Sequence, residues 1–577
     1  MAKKKTKNSE KESKKSLGSK FLGGIMMAKM AIGGALQLRS HADEVNKLNV
    51  FPVPDGDTGD NMRMTIESGI SAIENLDTDD LAEVMRVFSH GMLLGARGNS
   101  GVILSQFFAG TAKGFETSEQ ADPATLGHAL EMGVQQAYGS VMTPTEGTIL
   151  TVAREAVEYA VKRITPESTI RTFFADLVKE MHNSVERTPE ILQVLKEAGV
   201  VDSGGAGLFY IMDGFNRVLN GEEVAVDAVT AELSTMAKAP SVPSGFGPDS
   251  EMTYGYCTEL LVQLQRSKVD IDAFDIEPLK AFLAGIGDSI VAFKADSIVK
   301  IHVHTHTPEK VLAHCRKFGE FLTVKIENMS VQHTELAEKE EAAPDTEAPA
   351  AAPVVTKKYG VVAVANGPGV EALFRELGTD EIVLGGQTQN PSTNDFLTAF
   401  AKVPAEHIFV FPNNSNILMA AQQAAELYTH ATVHVLPSKN IGTGYVAISS
   451  INFEEPDPEA IIAEIGNVMQ RVIAGYISLA IRDTEMNGVQ VKNGDTIGII
   501  EKEIVVSDAS KMTATHYLAA KLLEIPGKFM LTVFCGKDST TEEQEELQAF
   551  LAAHYSGAEV YFIDGGQEIY PYIFVAE

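Results

Sequence analysis

From residue 24 onward, apolar side chains recur three and four positions apart. The stretch G-I-M-M-A-K-M-A-I-G-G-A-L-Q-L-R-S-H-A-D-E-V-N-K-L predicts a long amphipathic helix that stops at Pro52 and Pro54. The same period predicts helices over 60–75, 79–96, 101–114, 123–142, 147–163, 168–183, 189–198 and 205–219, joined by short glycine-containing loops. The pattern then changes. Y-C-T-E-L-L-V-Q-L-Q and S-I-V-K-I-H-V-H-T alternate with period two and predict strands, while 273–285 and 308–319 return to helical spacing. A third pattern opens with Y-G-V-V-A-V-A-N-G-P-G-V-E-A-L-F-R-E-L, a continuous apolar run, a glycine turn and a helix. It repeats in H-I-F-V-F-P-N-N-S-N-I-L-M-A-A-Q-Q-A-A and continues in A-T-V-H-V-L-P-S-K-N-I. The chain is therefore expected to be multidomain: an all-α domain, a small α+β domain, and an α/β domain built on a parallel sheet.

Two segments lack any period able to offset chain entropy and are read as linkers, a Pro/Ser/Gly-rich one at 231–250 and an acidic Ala/Pro-rich one at 335–357. They bound expected domains at 21–230, 251–334 and 358–577, preceded by a disordered tail over 1–20 that carries eight lysines. The run that follows that tail is read as an amphipathic helix and not as the h-region of a signal peptide, so the tail is not read as a secretory signal. The whole chain has 577 residues and a net charge of −31, which argues against nucleic acid as the main ligand. No run approaches the roughly 20 apolar residues that span a bilayer. Cys257, Cys315 and Cys535 are too few and too far apart for a disulfide framework, so a cytoplasmic location is expected.

Three clusters in the helical part carry candidate chemistry. N-V-F-P-V-P-D-G-D-T-G-D-N-M, residues 49–62, runs two proline steps into Asp55 and Asp57. Such a turn can point several oxygens into one volume, as Mg²⁺ requires, or it can be an ordinary solvated turn. G-A-R-G-N-S-G at 95–101 joins two helices; it can present Asn99, Ser100 and backbone N–H groups to an anion, or be a tight helix–helix turn. V-V-D-S-G-G-A-G-L at 200–208 lets backbone approach a flat ligand, or is a helix cap and turn. Together they offer metal ligands, a phosphate cradle and room for a base. In the middle part, His302, His304 and His306 alternate along one strand and Cys257 can join them across the sheet, which suits Zn²⁺ or simply an exposed polar strand face.

These three clusters resemble the nucleotide-binding domain of the dihydroxyacetone-kinase L-subunit family. The three-part chain is similar to the kinase subunits of bacterial two-component fatty acid kinases, whose C-terminal part resembles the two-lobed DegV fold. For that part, G-G-Q-T-Q-N-P-S-T-N-D-F, F-P-N-N-S-N-I and G-G-Q-E-I-Y-P-Y-I-F carry the likeness. The resemblance implies an eight-helix barrel binding ATP with two Mg²⁺ ions. It implies Asn49, Asp55 and Asp57 as metal ligands, Asp55 and Asp57 being the catalytic pair, with Asn49 standing where small-molecule kinases of the family carry aspartate. It further implies Thr58, Gly59, Asp60 and Asn61 at phosphates and metals, Asn99, Ser100 and Gly101 around phosphate, and Asp202, Ser203 and Gly204 beside the nucleoside. Y-C-T-E and H-V-H-T look like family signatures and favour Cys257, His302 and His304 as Zn²⁺ ligands; in K-I-E-N-M-S-V-Q-H, Ser330 stands where the family pattern leads one to expect arginine.

The function so implied is phosphorylation of a fatty acid carboxylate, presented by a separate DegV-family fatty-acid-binding protein, to give an acyl phosphate, with the kinase chain forming a homodimer. The C-terminal domain is expected to be a scaffold or dimerisation module. A kinase for a small hydroxy or keto compound is a second reading, and an ATP-binding regulator without turnover, favoured by Asn49, is a third.

Overall fold

A computed structural model describes residues 20–49, 56–222, 256–328 and 355–577, apart from positions 77, 272, 296, 387–388, 481–482, 487 and 502. Asp55, Ser330 and most of both linkers lie outside the described residues, as does the basic tail up to residue 19. Contacts divide the chain into two compact units, Met1–Ala237 with Ala352–Glu577, and Lys238–Ala351.

The helical domain contains α1 (Gly24–Leu48), α2 (Thr58–Ile73), α3 (Leu81–Gly95), α4 (Gly98–Gly114), α5 (Pro123–Gly139), α6 (Ile149–Lys162), α7 (Ile170–Ile191), the short α8 (Gln193–Ala198) and α9 (Ser203–Leu219). The eight long helices pack each on the next, and α9 packs back on α1, so the ring closes. Glycines allow that closure: a Cβ on Gly214 would lie 2.4 Å from the Gly33 carbonyl oxygen. Met30, Leu38, Met62, Ile66, Phe88, Phe108, Phe174 and Phe215 fill the centre. The period places a break before 189, yet α7 continues through Pro189 to Ile191. Proline leaves the Val185 carbonyl without its helical N–H partner. The Thr188 hydroxyl donates to that oxygen at 2.7 Å and makes good the loss.

The second unit holds one antiparallel sheet. Strands β1 (Tyr256–Leu264), β2 (Gly287–Ala295), β3 (Ile298–Thr305) and β4 (Gly319–Asn328) lie in the order β2-β3-β1-β4, with α10 (Glu277–Ala284) and α11 (Pro308–Cys315) between them in sequence. The register sets Cys257 opposite His304 and Glu259 opposite His302, so strand alternation puts positions 257, 302 and 304 on one face. His306 falls beyond the end of β3 and is exposed, contrary to its expected place on the strand.

The C-terminal domain has two lobes. The first has β5 (Lys357–Ala365), α12 (Pro368–Glu376), β6 (Glu381–Leu384), α13 (Thr393–Ala401), β7 (Ala405–Phe411), α14 (Leu418–Leu427) and β8 (Thr432–Val435). Its sheet is parallel, in the order β6-β5-β7-β8, as the repeated strand–turn–helix pattern leads one to expect. Helices α15 (Ile441–Ser449) and α16 (Pro458–Arg471) lead to the second lobe. There β9 (Ile473–Leu479), the hairpin β10 (Thr484–Met486) and β11 (Val489–Val491), β12 (Thr496–Ile500), β13 (Glu503–Asp508), α17 (Lys511–Leu523), β14 (Met530–Cys535), α18 (Thr541–His554), β15 (Glu559–Asp564) and β16 (Tyr572–Ala576) follow. This second sheet, β13-β12-β9-β16-β14-β15, is antiparallel except for β14–β15, so a mixed sheet stands beside the expected parallel one. Its strands are short and joined partly by hairpins, and antiparallel neighbours need no crossover helix. Cys315 and Cys535 are both buried free thiols, each pushed up to about 12 by desolvation, and so are inert at neutral pH.

The helical and C-terminal domains share one core. Ala96 and Val102 of the α3–α4 corner are buried in the cluster that contains Phe396, Phe400, Ile417 and Ala420. Polar bonds fix the register. The Thr393 N–H donates to the Ala96 carbonyl at 3.2 Å, and the Gln423 amide donates to the Leu93 carbonyl at 2.6 Å and accepts from Gln106 at 2.9 Å.

Candidate active site

Four helices of the first domain start at one cavity of about 290 Å³. Their first residues or caps line it: Asp57 and Thr58 of α2, Asn99 and Ser100 of α4, Thr148 and Ile149 of α6, and Asp202, Ser203 and Gly204 of α9. Each helix N-terminus carries about half a positive charge and unpaired N–H donors, so four together favour an anion. Asn49 and Asn61 complete that wall; Ile103, Val141, Ile149 and Leu150 give it an apolar side, and Thr143, Thr145 and Thr148 add hydroxyls.

Local hydrogen bonds explain why Asp57 faces the cavity. It is the N-cap of α2, yet its side chain does not cap. Asn46 on α1 takes over: its Oδ1 accepts from the N–H groups of Gly59 at 2.7 Å and Asp60 at 3.3 Å. Gly59 permits that approach, since a Cβ there would meet the Ala42 carbonyl oxygen at 2.4 Å. Thr58 joins two motifs, its hydroxyl oxygen accepting from Asn49 Nδ2 at 2.9 Å and from Ser203 Oγ at 3.3 Å. Gly98 stands at φ +58°, and a Cβ there would lie 2.6 Å from Asn61 Nδ2. Gly101 packs against Thr65, where a Cβ would approach Oγ1 to 2.4 Å.

Among the described residues, those read from the three helical-domain motifs thus converge with three exceptions in placement, and Asp55 lies outside the described residues. Asp60 does not line the cavity: its carboxylate accepts from Asn46 Nδ2 at 2.8 Å and from Arg63 Nη2 at 3.1 Å. Gly59 and Gly101 serve helix packing rather than the cavity wall. Asp202 caps α9, accepting from the Gly205 N–H at 2.7 Å, and burial pushes its carboxyl up to about 6 despite that bond.

Sequence reasoning missed the threonine-rich turn 143–148, whose signal is T-P-T-E-G-T before an apolar helical run. It also missed two asparagines of the C-terminal domain. Asn416 lines the cavity, its Oδ1 accepting from Asn99 Nδ2 at 3.3 Å. Asn390 donates to Asp57 Oδ2 at 2.6 Å and to Asn61 Oδ1 at 3.3 Å.

The donor set suits a hard cation. The acceptor atoms of its aspartate, asparagine, serine and threonine side chains are all oxygens, and among the described lining residues there is no lysine, arginine or histidine. Two carboxylates beside an anion site call for a counter-cation, and the buried oxygen Asn99 Oδ1 has no donor among the described residues. In the second unit, the side chains of Cys257, His302 and His304 lie outside the described set, and the described residues contain no cluster of three metal-ligating side chains.

Family models match three successive stretches of the chain. They are the DAK2 domain over residues 52–217, the middle domain of the FakA-like fatty acid kinase family over 253–336, and the C-terminal domain of the same family over 360–577. Protein YloV of Bacillus subtilis is 39% identical over 558 residues, covering 96% of this chain and 99% of its own length. An uncharacterized protein of Staphylococcus epidermidis is 36% identical over 556 residues with the same coverage. Two solved structures share parts of the chain at low similarity. Dihydroxyacetone kinase from C. freundii in complex with AMP-PNP and Mg²⁺ is 19% identical, with TM-score 0.27 over 33% of this chain and 33% of that one. DegV, a fatty acid binding protein from Bacillus subtilis, is 12% identical, with TM-score 0.29 over 38% of this chain and 99% of that one. Likeness at that level identifies no shared site. With three domain models in order and a full-length relative at 39% identity, the chain belongs to the FakA-like fatty acid kinase family and carries its DAK2 domain at the helical end.

Proposed function

We propose that this protein is the ATP-dependent kinase component of a fatty acid kinase. It moves a phosphoryl group from ATP to the carboxylate of a fatty acid held by a separate DegV-family binding protein, and the product is an acyl phosphate. The observation that carries this reading is the convergence of four helix N-termini on one cavity with Asp57, Asn49 and Asn61 at its wall. The N-termini bind polyphosphate through backbone N–H groups and dipoles. Asn49 and Asp57, with Asp55 two positions earlier in the sequence, would hold Mg²⁺, which would supply charge neutralisation between phosphate oxygens and the acceptor. The apolar side formed by Ile103, Val141, Ile149 and Leu150 suits a nucleobase. The closing ring of eight long helices supports an eight-helix barrel for this domain.

A fatty acid carboxylate is ionised at neutral pH, with a pKa near ~4–5 like side-chain carboxyls, so the acceptor needs no general base. That agrees with a cavity lined by no imidazole or amine among the described residues. The chain then has to align donor and acceptor and exclude water, which is most of what phosphoryl transfer asks of a protein. ATP turnover measured with and without a lipid-loaded partner tests the reading. Turnover that depends on lipid supports it; turnover with small hydroxy or keto compounds alone, or tight ATP binding with none, overturns it. Asp57→Ala should abolish transfer with helical circular dichroism unchanged.

Two further parts of the reading concern the second unit and assembly. Zn²⁺ at Cys257, His302 and His304, positions that share one strand face in the β1–β3 register, is the first, and metal analysis of Cys257→Ser would test it by loss of one zinc per chain. A homodimer is the proposed assembly, checked by sedimentation.

A further inference from the structure

The C-terminal domain reaches the wall of the cavity, and one of its residues touches the candidate metal ligand itself. Asn390 lies in the turn between β6 and α13 and is only 4% exposed. Its Nδ2 donates to Asp57 Oδ2 at 2.6 Å and lies 3.3 Å from Asn61 Oδ1. The amide orientation is set by chemistry, because a carboxylate oxygen can only accept. Asn390 Oδ1 therefore faces elsewhere, and it is buried with no donor among the described residues. The turn is clamped in place: Arg97 Nη1 donates to the Asn390 carbonyl oxygen at 2.8 Å and lies 3.6 Å from the Asp395 carboxylate. Arg97 belongs to the G-A-R-G-N-S-G motif, so that glycine turn and the C-terminal turn are held to each other.

We propose that Asn390 is a positioning residue for the Mg²⁺–nucleotide site, so that the C-terminal domain completes the kinase centre of the helical domain. This rests on the Mg²⁺–nucleotide reading of the cavity. A carboxylate that ligates a metal is held by a hydrogen bond to its other oxygen, and loss of such a partner costs about 10–100-fold in metal affinity. Asn390 supplies that bond to Asp57 and aligns Asn61 with it.

The test is titration of the full chain with ADP at a series of Mg²⁺ concentrations, for the parent, Asn390→Ala and the isosteric Asn390→Asp. Asn390→Ala should raise the Mg²⁺ concentration for half-maximal nucleotide binding about 10–100-fold, and high Mg²⁺ should restore binding. Asn390→Asp, which sets a second carboxylate against Asp57, should show a shift in the same direction at low Mg²⁺ with recovery at high Mg²⁺. ADP affinity in EDTA should be the same in all three, whereas a merely structural lesion would lower it and would not be rescued by Mg²⁺. An unchanged Mg²⁺ midpoint in Asn390→Asp overturns the inference alone, and so does a lowered midpoint in Asn390→Ala, the signature of a blocking contact. Absence of any Mg²⁺-dependent nucleotide binding in the parent overturns the underlying reading as well.

Discussion

Replacing Gly98 with alanine perturbs the site from its backbone outward. Gly98 has φ +58°, a left-handed conformation that costs an L-residue with a side chain roughly 1–2 kcal/mol. The new Cβ would also sit 2.6 Å from Asn61 Nδ2, 3.0 Å from Asn61 Cγ and 3.2 Å from Asn390 Nδ2. Asn61 is 6% exposed, so it cannot swing into solvent without dragging α2 or the Asn390 turn. Overpacking of this kind costs about 1–3 kcal/mol. The sum, about 2–5 kcal/mol, corresponds to a fall in Tm of roughly 4–20 °C for a domain of this size. Because the displaced groups are those that hold Asp57, Mg²⁺-dependent nucleotide affinity should fall at least about 10-fold in the protein that remains folded. Scanning calorimetry and nucleotide titration on the same preparation read both effects. An alanine variant with parental Tm and parental affinity would refute the reasoning, because it would show that neither the φ angle nor the Asn61 packing is as described.

Other substitutions probe separate features. Asp202→Asn keeps an N-cap for α9 but removes a carboxyl raised to about 6 by burial. The native state holds that proton more tightly than the unfolded chain, so its ionisation costs stability as pH rises from about 4 through 6. The variant should therefore gain stability over the parent across that window, by about 1–3 kcal/mol at pH 7; a urea-midpoint difference independent of pH would sink this. Asn49→Asp should lower the Mg²⁺ midpoint by adding a charged ligand, although it removes the amide that donates to Thr58; a raised midpoint would contradict the ligand assignment. Phe400→Ala empties part of the core shared by the helical and C-terminal domains and should cost about 3–5 kcal/mol by chemical denaturation.

What the sequence discloses depends on how local the physics is. The three glycine-containing motifs are contiguous, and each marks a helix start, so their meeting at one cavity was legible from their order. Asp60 shows the limit of that reading: it stands among ligand-type residues, but Asn46, on the preceding helix, takes its carboxylate. Asn390 and Asn416 lie more than 300 residues from the groups they touch, in loops with no periodicity, and nothing along the chain pairs them with Asp57 or Asn99. The parallel lobe announced itself through repeated Val-rich runs and glycine turns. The mixed sheet did not, because short apolar runs such as T-I-G-I-I fit either strand direction. The fusion of the first and last domains into one unit was hidden for a similar reason: Ala96 and Val102 read as ordinary helix-corner residues until Phe396 and Phe400 cover them.

The central claim, phosphoryl transfer to a fatty acid carboxylate, is tested most directly by trapping the product. The purified chain is incubated with Mg·ATP and a fatty-acid-loaded DegV-family partner, and hydroxylamine converts any acyl phosphate to a hydroxamate. The account predicts one hydroxamate per ADP formed, absent with Asp57→Ala and absent when lipid is omitted. ADP formed at the same rate without hydroxamate would contradict it.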